Sequence, residues 1–182
     1  MWWVWGAAAL LLVAGYLWWL SSRVRRLHDR AEAAAAALDG KLARRAAASA
    51  VLAEQLSEAC PQVAAGLHAV ARAALNASRN EREAAENDLT RALRELPSLA
   101  PEHVLRASEW PDVVTASRRV ALARQVHTDL VRDARRLRSR VPVRLFRLAR
   151  HYPEPVYFDV DDPGLDRVPE LRGDPFPAPG TA

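Results

Sequence analysis

The chain has 182 residues, half of them hydrophobic, a formal net charge of +4 at pH 7 and one cysteine. Less an anchor and an irregular tail, that length holds one domain with one modest core and argues against a second. The lone Cys60 excludes an intramolecular disulfide and zinc-finger spacing, while abundant Ala beside few Ile, Phe or Tyr predicts packed helices rather than sheets.

Residues Trp2 to Leu20 carry no charged side chain. As a helix they span about 28 Å, close to the roughly 30 Å of a bilayer hydrocarbon core. Trp2, Trp3 and Trp5 mark one end, and Tyr16, Trp18 and Trp19 the other, where amphipathic rings favour the headgroup boundary. A cleaved signal peptide is the competing reading. It needs a basic n-region and small residues at the cut, yet no charge precedes Arg23, and Trp18, Trp19 and Leu20 fill the cleavage region. Arg23, Arg25, Arg26 and Arg30 follow at once, and the positive-inside rule then predicts a single pass through the cell membrane, N-terminus out and domain cytoplasmic. The expected organisation is a transmembrane anchor over 1–22, a helical bundle over 23–152 and an irregular tail over 153–182.

Beyond the anchor, Val24, Leu27, Ala31, Ala35, Leu38, Leu42, Ala46, Ser49, Leu52 and Leu56 recur at spacings of three and four. This predicts a first helix continuous with the anchor, and Gly40 weakens it by only about 1 kcal/mol. Pro61 should end or bend it at Cys60, and Val63, Leu67, Val70 and Ala74 mark a second helix. After a turn over 76–80, Glu81, Glu83 and Glu86 place negative charge where a helix N-terminus favours it. That third helix carries Leu89, Leu93 and Leu96 and should break at Pro97 and Pro101. The stretch 97–111 then reads as a connection with one short turn near Val104. A long fourth helix is predicted after Pro111, from Val113 to Val141, interrupted by Pro142, with a further turn over 143–149. From Pro153 onward, prolines and acidic residues predict an irregular tail in which only Val156 to Val160 pack.

Three stretches carry a resemblance: AALDGKLARR at 36–45, ENDLTRAL at 86–93, and VALARQVHTDLV at 120–131 followed by Pro142 and YFD at 157–159. In order and spacing they resemble the LemA family of bacterial membrane proteins. The family's Pro-Asn in the first helix is absent, its two Tyr-Asn pairs are His127-Thr128 and Ala134-Arg135, and its closing Tyr-Phe-Glu is Tyr157-Phe158-Asp159, as in a divergent member. The resemblance implies a cytoplasmic four-helix bundle on one N-terminal membrane helix, and carries no established reaction with it.

The residues themselves assign no catalytic, cofactor-binding or metal-binding site. His28, His68, His103, His127 and His151 are scattered, none three residues after a Glu, so the paired Glu-x-x-His of a di-iron bundle is missing. Cys60 beside a proline reads as a small apolar filler. Asp39 is expected to pair with an Arg on another helix. The most pronounced charge feature is Arg132, Arg135, Arg136, Arg138, Arg140, Arg144, Arg147 and Arg150 against one acid, Asp133. In an up-and-down bundle this run returns to the anchor, so Arg136, Arg140, Arg144 and Arg147 join Arg23, Arg25, Arg26 and Arg30 as candidate anionic-lipid contacts, at about 1 kcal/mol per Arg. A solvated helix face is the competing reading. The expected function is a membrane-anchored, non-catalytic interaction or scaffold protein with a protein partner of unknown identity. A tethered nucleic-acid binder is disfavoured because only Phe146 and Tyr152 interleave with the Arg run. An enzyme with an unrecognised site would need a concave polar pocket.

Overall fold

No proline occurs before Pro61, and the backbone from Trp2 to Leu56 forms one helix, α1, of 55 residues, about 82 Å long at helical rise. The computed structural model describes residues 1–154 and 157–158, and every regular element among them is helical. Pro61 opens α2 (Pro61–Asn76), in the first turn, where a missing N–H costs nothing. A turn at 77–81 follows, in which the Ser78 hydroxyl donates to Glu81 Oε2 at 2.6 Å, and leads into α3 (Arg82–Leu99). Two short helices, α4 (Pro101–Arg106) and α6 (Val141–Leu145), flank the 29-residue α5 (Trp110–Arg138).

The prolines act differently from expectation at three places. Pro97 does not break α3 but lies inside its last turn, where it forfeits one hydrogen bond to the Leu93 carbonyl while Ala100 N–H still reaches Leu96 O at 3.1 Å. The stop comes three residues later, at a non-helical Ala100 before Pro101. Pro111 lies within the first turn of α5 rather than before it, so Trp110 begins the helix. Finally, α5 ends at Arg138, not at Pro142. Continuing it would drive the Pro142 ring into the Arg138 carbonyl, and the chain instead extends at Arg140 and uses Pro142 to start α6.

α1 is the spine of an up-and-down arrangement. α5 runs antiparallel along it, α2 packs on its C-terminal half and α3 packs on α2. The main core lies at the end of α1 remote from the apolar segment, where Leu52 and Leu56 meet Leu67, Leu89, Leu93 and Trp110. The Gln55 side chain fastens this end by donating to Ser108 Oγ at 2.8 Å. Toward the N-terminal segment the core narrows to Leu38, Leu42 and Val120 with Phe158 against them. It ends in a cluster of Leu20, Val24, Leu137, Val143 and Ala149. The helices are unequal in length, so a four-helix section tapers to the α1–α5 hairpin. Of the tail segment expected to pack, Phe158 does so, while Val156 and Val160 lie outside the described residues.

Leu20 is the first buried residue, 1% exposed, whereas Trp18 is 76% exposed. Everything before it is bare helix, long and apolar enough to cross a membrane.

Candidate functional site

The antiparallel register of α1 and α5 sets Leu137 beside Leu20 and Val24, which brings the end of the Arg run back to the start of the packed domain. There Arg23 and Leu27 of α1 face Asp133, Arg136 and Leu137 of α5, with Arg140 just beyond, around an open hollow of ≈ 190 Å³. Arg23 also leans back over Trp19, its guanidinium carbon 5.6 Å from the ring centroid, and Tyr16 packs near the same indole at 6.1 Å. Aromatic belt and basic hollow are therefore adjacent along α1. Arg135, Arg136 and Arg138 occupy the last turn of α5, where cations also offset the helix dipole by about 0.3–1 kcal/mol each.

The remaining predicted basic residues lie elsewhere. Arg25 approaches Asp29 at 3.9 Å on the exposed side of α1, and Arg26 and Arg30 are exposed. Arg144 and Arg147 line a second, more open depression of ≈ 290 Å³ with Arg138, Val143, Ala149 and Arg150. The structure thus joins Arg23 to Arg136 and Arg140, and leaves Arg144 and Arg147 on a separate face. Trp2, Trp3 and Trp5 are exposed at the far end of the bare segment.

Arg147 holds a conformation that side chains seldom take, φ 50°. It ends α6 in a Schellman turn: Arg147 N–H reaches Arg144 O at 3.2 Å and Leu148 N–H reaches Val143 O at 3.0 Å. Leu148 and Val143 join the same apolar cluster. Glycine is the usual residue here, and a side chain costs roughly 1–2 kcal/mol in this region. Beside the turn, Arg138 donates to the carbonyls of Tyr152 and Pro153 at 3.0 and 3.1 Å. The Tyr152 ring lies 4.9 Å from the buried His28.

A second polar group lies in the bundle core. Arg45 of α1 is 0% exposed and meets Glu86 of α3 at 2.6 Å. It donates also to Thr90 Oγ1 at 3.1 Å and to the Glu86 carbonyl at 3.3 Å. Ser49, the one polar member of the predicted stripe, spends its hydroxyl on the Arg45 carbonyl at 2.9 Å. Sequence reasoning missed this pair: Asp39 had been expected to meet an Arg, and Glu86 to serve the α3 N-terminus. Asp39 is exposed, and its electrostatic partner is His127 of α5. Burial pushes the His127 imidazole below its usual range, with Asp39 opposing the shift. The available signal was that Arg45 and Glu86 both fall in stretches that carry the resemblance.

Among the described residues no three His, Cys, Asp or Glu side chains converge as a metal site. Cys60 is half-buried against the main core.

No family model, curated protein or solved structure matches the chain. Its function is therefore argued from its own geometry.

Proposed function

We propose that this chain is a membrane-anchored, non-catalytic scaffold of the LemA type, holding its helical bundle at the inner face of a bacterial cell membrane for a protein partner. The observation that carries the reading is the unbroken α1: the bare apolar segment and the spine of the packed domain are one helix. A domain mounted without a linker keeps one orientation to the bilayer, which suits presentation of a surface. The Arg flank after the anchor supports the cytoplasmic side. The three stretches that resemble the family supply two of the helix contacts that define the bundle, Arg45 with Glu86 and Val120 with Leu42 and Phe158.

Proximity labelling tests it. The full chain, fused at its C-terminus to a labelling enzyme, should enrich a reproducible set of cytoplasmic or membrane proteins over a control carrying residues 1–22 alone. An identical set from the full-chain fusion and the control refutes the scaffold role.

A further inference from the structure

We propose that the hollow between Arg23, Arg136 and Arg140 seats the phosphodiester headgroup of an anionic phospholipid bearing free hydroxyls, of the phosphatidylglycerol kind. The inference rests on the reading that α1 spans a membrane. Depth is the first argument. Arg23 lies one turn beyond Trp19 and touches its ring, and an indole of that sort marks the headgroup boundary. The hollow is thus level with lipid phosphates rather than with acyl chains or bulk water.

Chemistry is the second argument. Three guanidinium groups, from α1, α5 and the extended residue before α6, line the hollow against one carboxylate, and planar guanidinium forks match phosphate oxygens in pairs. A purely structural account of Arg136 as compensation for the α5 dipole leaves Arg23 and Arg140 unexplained. Arg23 belongs to α1 and Arg140 lies past the end of α5. Leu27 and Leu137 add apolar wall, which the glycerol backbone of a lipid can cover.

Selectivity follows from Asp133. A carboxylate only accepts hydrogen bonds when ionised, so it suits a headgroup hydroxyl.

The test uses the full chain in phosphatidylcholine nanodiscs doped with spin-labelled lipids, read as the motionally restricted fraction of each. The wild type should retain phosphatidylglycerol over phosphatidylcholine. Arg23→Gln, Arg136→Gln and Arg140→Gln should each lower that preference about fivefold. Arg72→Gln and Arg106→Gln, which remove the same charge far from the hollow, should change nothing, and neither should inorganic phosphate at millimolar concentration. Equal losses from Arg144→Gln with Arg147→Gln would reduce the effect to a general field and overturn the site. So would competition by inorganic phosphate, which marks a free-anion site. Failure of the wild type to enter nanodiscs defeats the membrane reading itself; insertion without preference defeats the hollow alone.

Discussion

Replacing Glu86 with Gln keeps the shape of the side chain and removes its charge. Both partners of the Arg45–Glu86 pair are 0% exposed, so the variant leaves a guanidinium in the core with no counter-charge and only neutral acceptors, the new amide oxygen, the Thr90 hydroxyl and the backbone carbonyl of residue 86. Breaking a buried pair from one side costs about 3–5 kcal/mol, whereas replacing both partners with apolar residues is often neutral. The single variants Glu86→Gln, Glu86→Leu and Arg45→Met should therefore each lose most of a small domain's margin, while Arg45→Met/Glu86→Leu should recover the larger part and closes a cycle with Glu86→Leu and Arg45→Met. Urea unfolding of the full chain in detergent micelles, followed by helical circular dichroism, reads this as a double-mutant cycle. A coupling below about 1 kcal/mol would show that water or rearrangement relieves the orphaned charge, and that the pair does not fasten α3 to α1.

Three further outcomes are expected. His127 is buried and its imidazole is held below the ordinary value of 6.5. The unfolded chain therefore binds the proton first, and stability should be level above that value and fall as pH drops through it; His127→Gln should flatten the fall, and an unchanged slope would refute it. Arg147→Gly should raise stability by about 1 kcal/mol by relieving the left-handed backbone, and a loss measured in the same urea assay would contradict the Schellman reading. Trp110→Ala removes a ring 7% exposed in the main core and should cost about 3–5 kcal/mol, with the midpoint of thermal unfolding as the readout.

Much of the architecture was legible because helix periodicity survives in an Ala-rich chain. The stripe from Val24 to Leu56 marked the buried face of α1, and Leu67, Leu89, Leu93 and Val113 were each placed correctly in a helix core. The prolines were less legible, since a ring is tolerated in the first or last turn and forbidden between, and sequence alone does not show which turn is which. The buried ion pair was illegible for another reason. A charged residue on an apolar stripe looks like a break in the pattern until its partner is known, and Arg45 and Glu86 lie 41 positions apart. The candidate site was half legible: the direction of α5 brought Arg136 and Arg140 to Arg23. The short turn after Arg138, which carries Arg144 and Arg147 to another face, depended on local backbone geometry around Arg140 and Pro142.

In the proposed arrangement one helix passes from the bilayer into a cytoplasmic bundle. Labelling with a membrane-impermeant maleimide tests it most directly, using Cys60→Ala with a single cysteine at Ser78 in the exposed turn before α3, or at Met1 as an N-terminal extension. Ser78→Cys should react only after the cells are permeabilised, and the N-terminal cysteine in intact cells. Reaction of Ser78→Cys in intact cells would contradict the orientation, and with it the placing of the Arg-lined end against the inner leaflet.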